Sequence, residues 1–268
     1  MLLSVLFLVL LLAFNLDALP LDENLEIVNG LIVDDPAELP FLCRIQIHGS
    51  FPPTSHFCGV ALISADYGVT AKHCVDDFYD ICLEVEDCYV ACRDLNRAGH
   101  DVGQFRVSIL EVFFKSGISD IAVIQLKEKV HEHKDYDQGV PIVPVVLASE
   151  EPRPGDEVLT AGWGVTGYNK GPSEQLRKLK LNVTSVDKLL VKTAVTNSNG
   201  TVSDPCKGDS GGPLLVWKQD HWEIIGTLKV RYATKYQFCS LINIDPNPLP
   251  FQHLVENCSP LKNCTIDI

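Results

Sequence analysis

The sequence predicts an all-β chain, a sandwich or barrel assembled from many short strands. Short apolar or alternating runs recur along its length. Gly, Pro, Asn and Asp clusters bound these runs, and long helical periodicity is scarce. In chain order, Phe41 to Ile47 alternates apolar and polar residues, Gly59 to Ile63 is apolar throughout, and Phe105 to Phe114 opens on alternation. Ile121 to Leu126 is a buried-type run, Glu157 to Ala161 follows a Pro-Gly turn, and Trp222 to Val230 follows an Asp-His break. Residues 131–143 are polar at their start, sit midway and read as the crossing between two halves. Pro250 to Cys258 places Phe251, Leu254 and Val255 on one face, which predicts a short C-terminal helix. No solenoid repeat and no low-complexity linker interrupts the pattern.

The 268 residues suffice for one large β unit or two small barrels with good cores. Hydrophobic content of 46% and charged content of 21% are those of a globular protein. The net charge of −13 and the lack of a basic stripe argue against nucleic acid as a partner. Residues 1–14 form an apolar run too short to span a bilayer comfortably, and small Ala18 suits a cleavage site. We therefore expect a signal peptide over 1–18, a secreted extracellular chain and no membrane span. Ten cysteines in such a chain read as a disulfide framework. Four sequons, at Asn182, Asn199, Asn257 and Asn263, are candidate glycosylation sites on the same route.

Three segments carry chemistry. Thr70-Ala71-Lys72-His73-Cys74 offers a base, Ser119-Asp120-Ile121-Ala122-Val123 an acid, and Gly208-Asp209-Ser210-Gly211-Gly212-Pro213 a serine between glycines. A serine hydroxyl is a weak nucleophile until a base takes its proton, and the base needs an orienting partner. The chain order His, Asp, Ser is the one used by chymotrypsin-like enzymes rather than by subtilisins or α/β-hydrolases. With Ile27-Val28-Asn29-Gly30, Cys58-Gly59 and Ala161-Gly162-Trp163-Gly164 in matching order, the sequence resembles the trypsin/chymotrypsin family of secreted serine proteases.

That resemblance implies two six-stranded antiparallel barrels, about 27–135 and about 136–268, with the active site in the cleft between them. It implies a propeptide over 19–26 and a peptidase domain over 27–268. Ser210 would be the nucleophile, His73 the base and Asp120 its orienting acid, while the N–H groups of Gly208 and Ser210 would form the oxyanion hole. Asp209 would be buried and paired with the α-amino group that a cut before Ile27 creates. The residue before that cut is Glu26, so activation by a trypsin-like activity is not expected and a separate activating protease is. Protein or peptide substrates and protease inhibitors are the further partners implied, and no cofactor is needed.

The specificity pocket departs from the family. Asp204 stands at the pocket floor that favours Lys or Arg, but Lys229, Val230 and Arg231 stand where Ser-Trp-Gly is usual. Arg231 is placed to cover the pocket mouth or pair with Asp204, and Lys229 to compete for the Asp120 carboxylate. These changes argue against trypsin-like cleavage and keep open a second reading, a weak or inactive homologue that acts as a binding or regulatory protein. The resemblance pairs Cys58 with Cys74 and Cys206 with Cys239. It leaves Cys43, Cys82, Cys88, Cys92, Cys258 and Cys264 unassigned among fifteen pairings. No metal site is expected. The acids of the Asp76 to Asp87 stretch lie where some trypsins carry calcium, and Cys82, Cys88 and Cys92 favour disulfides over zinc in an oxidised chain.

Overall fold

The computed structural model describes residues 30–47, 56–75, 88–97, 105–114, 120–133, 139–166, 170–187, 190–194, 205–230 and 242–244. Several expectations lie outside the described residues: the signal peptide 1–18, the propeptide 19–26, Ile27, the acidic stretch 76–87, Cys82, Asp204, Arg231, Cys239, Asn199, Asn257, Asn263, Cys258, Cys264 and the helix at 250–258.

Two closed β systems form the molecule. The first contains β2 (Leu42–Ile47), β3 (His56–Leu62), β4 (Tyr67–Ala71), β5 (Cys88–Cys92), β6 (Phe105–Phe114) and β7 (Ile121–Leu126). They close in the order β2-β3-β4-β7-β6-β5, and all of the pairings are antiparallel. Closure removes every open strand edge within the ring. The seam between β2 and β5 is also covalent, because Cys43 and Cys92 are register partners and form a disulfide with Cα atoms 4.4 Å apart. A second disulfide, Cys58–Cys74, ties β3 to the turn after β4. Cys88 and Cys206 are also disulfide-bonded.

The second system contains β9 (Glu157–Gly162), β10 (Arg177–Asp187), β11 (Leu190–Ala194), β12 (Pro213–Lys218), β13 (His221–Val230) and β14 (Ile242–Ile244). Pairings run β9-β10-β11-β14-β13-β12 and return to β9, so this sheet also closes as a six-membered ring. Two short strands attach to it: β1 (Leu31–Ile32) on β10 and β8 (Val146–Leu147), in parallel, on β13. The two-barrel class predicted above is thus observed. Among the described residues the only helical pieces are 3₁₀ turns, Lys72–Cys74 and Val130–Glu132. None of these is long and apolar enough to cross a membrane.

Strand alternation divides the apolar side chains between two cores. On β9, Val158 joins the interior of the second barrel, whereas Leu159 and Ala161 join the larger core around the first. On β12, Leu214 and Leu215 split in the same way. Trp163, fully buried, carries the larger core across the seam and lies 5.9 Å under the guanidinium of Arg44 from β2. Arg44 and Asp94, both fully buried, form an ion pair beneath this contact. The outward face of β2 is therefore as dry as its inward face, because the second barrel covers it.

Candidate active site

The site begins where β4 ends. Ala71 pairs with Ile121 across β4 and β7, which brings the turn Lys72–Cys74 beside Asp120 at the start of β7. The backbone N–H of Lys72 donates to the Asp120 carbonyl at 2.9 Å. That of His73 donates to Asp120 Oδ1, also at 2.9 Å. The His73 ring then presents Nδ1 to Asp120 Oδ2 at 2.8 Å. One carboxylate fixes both the backbone and the ring of His73, which favours the tautomer carrying its proton on Nδ1 and leaves Nε2 free to accept. The His73 side chain is 41% exposed and that of Asp120 11%, so the ring is open to solvent while the acid behind it is largely covered. Burial alone would raise the Asp120 carboxyl, but the hydrogen bonds from His73 and Lys229 and the His73 charge outweigh it and hold it below its ordinary value.

Ser210 arrives from the second barrel. Its carbonyl accepts the Gly59 N–H of β3 at 2.8 Å, so the serine loop docks on the first barrel by its backbone. Glycine is required on both sides of this contact. A Cβ on Gly59 would lie 2.7 Å from Gly212 Cα, and one on Gly211 would overlap Thr70 Oγ1 and the Gly59 carbonyl. Gly208 (φ +100°) and Gly211 (φ +75°) also adopt left-handed backbone that other residues resist. Ser210 is 8% exposed, and its hydroxyl makes no hydrogen bond among the described residues. Nε2 of His73 lies 3.9 Å from Cys74 Sγ, against the disulfide that anchors its turn.

Asp209 turns inward, 1% exposed. Its carboxylate accepts the Gly164 N–H at 2.7 Å and the Cys206 N–H at 2.8 Å. Among the described residues no cation reaches it, and burial pushes its carboxyl up to about 6 against those two bonds. Gly162 and Gly164 form its cradle, since a Cβ on either would overlap the carboxylate. Sequence reasoning noted Gly162-Trp163-Gly164 as a matching segment without its role. The Gly-x-Gly spacing on a strand end was the available signal.

Of the remaining candidates, Lys229 near the end of β13 sends its ammonium to Asp120 Oδ2 at 3.1 Å. It therefore shares the oxygen that His73 Nδ1 uses. Val230 pairs with Ile242 of β14. Asn182 sits half-buried within β10, between β9 and β11, and its sequon partner Thr184 donates its hydroxyl to the Lys192 carbonyl at 3.0 Å. Cys58, His73 and Cys74 bring three ligand-type atoms within 4.8 Å of one another. Both sulfurs are locked in the Cys58–Cys74 disulfide, so no thiolate is available to a metal there.

The arrangement holds an imidazole oriented by a carboxylate, a nearby serine on a glycine-hinged loop, and a buried acid directly before that serine. It has the parts needed for proton transfer coupled to attack on a carbonyl.

Comparison with known proteins agrees. A family model described as Trypsin matches residues 28–238. Phenoloxidase-activating factor 3 of Holotrichia diomphalia is 30% identical over 225 residues, which is 73% of this chain but 61% of that protein. A trypsin of Phaedon cochleariae is 28% identical over 210 residues, 73% of this chain and 76% of that protein. A solved structure titled human heparin binding protein covers 86% of this chain and 97% of its own, with a TM-score of 0.64 and 21% identity, which speaks to the fold alone. With the family model spanning most of both barrels, the chain belongs to the trypsin family of serine proteases.

Proposed function

We propose that this chain is a secreted serine endopeptidase made as an inactive precursor, with a signal peptide over 1–18, a propeptide over 19–26 and a peptidase domain from Ile27. The observation that carries the reading is the doubly bonded His73–Asp120 pair beside the docked Ser210 loop. The Ser210 Oγ–H proton passes to His73 Nε2 as Oγ bonds to the substrate carbonyl carbon. The carbonyl oxygen takes the negative charge toward the N–H groups of Gly208 and Ser210. The C–N bond then breaks, the amine leaves with the proton from His73, and water repeats the sequence on the Ser210 ester. A cut before Ile27 supplies an α-ammonium to Asp209, whose raised carboxyl is consistent with a precursor that lacks a cation there. The activating protease is a separate enzyme, because Glu26 precedes the cut. Substrates are proteins or peptides. The name of one relative, a phenoloxidase-activating factor, is compatible with a protein substrate. No cofactor enters the reaction. The disulfides support secretion.

A second reading, a catalytically weak or inactive homologue that binds or regulates, is favoured by two observations. Lys229 occupies the Asp120 carboxylate oxygen that His73 also uses, and among the described residues the Ser210 hydroxyl has no hydrogen-bond partner. One experiment separates the two. A fluorophosphonate probe should label the chain cut before Ile27, and Ser210→Ala should abolish the label. No label on the cut chain supports the second reading, and label surviving in S210A overturns the Ser210 assignment.

A further inference from the structure

We propose that Lys229 is a built-in attenuator of the His73–Asp120 pair, a positioning residue of opposite sense that holds turnover below what the remaining site would deliver. This rests on the reading of Ser210 as the nucleophile. Asp120 offers two oxygens. Oδ1 is taken by the His73 backbone N–H, and Oδ2 receives both His73 Nδ1 at 2.8 Å and Lys229 Nζ at 3.1 Å. Two nitrogens bound to one oxygen at those lengths lie within about 6 Å of each other, where like charges still repel appreciably.

The conflict exists only while His73 is protonated. A neutral imidazole and an ammonium share a carboxylate without penalty. An imidazolium and an ammonium do not, and proton transfer from Ser210 creates the imidazolium. Lys229 therefore destabilises the charged intermediate more than the resting site, which slows the chemical step and leaves substrate binding alone. Asp120 is the only ion-pair partner of Lys229 among the described residues, so its ammonium has no competing attraction there. The Lys229 side chain is 35% exposed, and solvent screens part of the effect.

The test compares K229M, K229S and K229R with the native chain after the cut before Ile27, using fluorophosphonate labelling rate and peptide hydrolysis. K229M removes the charge and keeps the bulk, K229S supplies an uncharged hydroxyl, and K229R keeps the charge. We expect K229M and K229S to label and turn over roughly 3- to 10-fold faster, with KM unchanged, and K229R to stay within about twofold of native. A native chain that labels at Ser210 while K229M and K229S are no faster overturns the proposal but not the enzyme reading. Label absent from every chain overturns both. A readout that needs no turnover accompanies these: the NMR resonance of the His73 Nδ1–H proton should lie further downfield in K229M than in native or K229R chains. An unmoved resonance in K229M also overturns the proposal.

Discussion

The Asp209 carboxylate makes stability depend on pH in the sense opposite to ordinary acid denaturation. It is 1% exposed, bonded to two backbone N–H groups and unpaired with any cation among the described residues. Burial pushes it up to about 6 from the ordinary 3.8. A carboxyl raised in the folded state keeps its proton where the unfolded chain has lost it. Its stabilising contribution is fully present below about pH 3.8 and is lost as pH rises through about 6. A gap of about two pH units corresponds to about 3 kcal/mol. Asp120, held below its ordinary value, acts the other way, so the native chain alone mixes the signs. Asp209→Asn isolates the term. An amide turns its NH₂ toward one of the two N–H donors, which costs stability by an amount that does not vary with pH. The slope is therefore the readout and the offset is not. Urea unfolding of the uncut chain, with Ser210→Ala in both proteins to prevent self-digestion, should show the Asp209 protein losing about 2 kcal/mol relative to D209N between pH 4, where the unfolded acid is already partly ionised, and pH 7.5. A gap that stays constant within about 1 kcal/mol, or that moves in favour of Asp209, refutes the reasoning. In the chain cut before Ile27, an α-ammonium at Asp209 should reverse the slope.

Two further outcomes follow from the packing. Gly164→Ala puts a methyl group into the Asp209 carboxylate and should destabilise by roughly 2–4 kcal/mol while removing Ser210 labelling, with the β-sheet circular dichroism retained below the new midpoint. Full labelling in G164A would show that Asp209 does not set the serine loop. Asp94→Ala strands the fully buried Arg44 guanidinium and should cost roughly 3–5 kcal/mol in urea unfolding, whereas R44L/D94L together should fall within about 2 kcal/mol of native. Equal losses in both would mean that shape, and not the uncompensated charge, dominates.

Strands whose alternation or apolar content is local were legible from the sequence. Phe105–Phe114 and Ile121–Leu126 emerge with the bounds expected, and Leu42–Ile47 starts one residue later than the run that announced it. Tyr67–Ala71, Arg177–Asp187 and Pro213–Lys218 were not singled out. The first is short and starts at a bend, the second alternates through lysines that look like a solvated face, and the third opens on a proline tolerated as its first residue. Arg44 reads as a solvent-facing residue on an alternating strand, yet it is fully buried, because the second barrel covers that face. No local pattern carries such long-range cover. The pairing of Cys43 with Cys92, at a sequence separation of 49, likewise depends on barrel closure. The approach of Lys229 to Asp120 was anticipated because both positions align with a known segment, although the two lie on different barrels.

That last contact separates stability from turnover. His73 and Asp120 belong to the first barrel, while Ser210 and Lys229 come from the second, so the seam between barrels is the site. Glycines at 59 and 211 let the backbones meet there, since a Cβ on either would strike the opposite barrel. Lys229 crosses the same seam through its ammonium group, from a partly exposed position. An ion pair of that exposure contributes about 0–1 kcal/mol to folding. The fold therefore gains little from this lysine, whereas the imidazolium step of the proposed mechanism is opposed by it. A residue with so small a structural return, placed on the one oxygen that must answer the imidazolium, is better explained by restraint of the chemistry than by support of the fold.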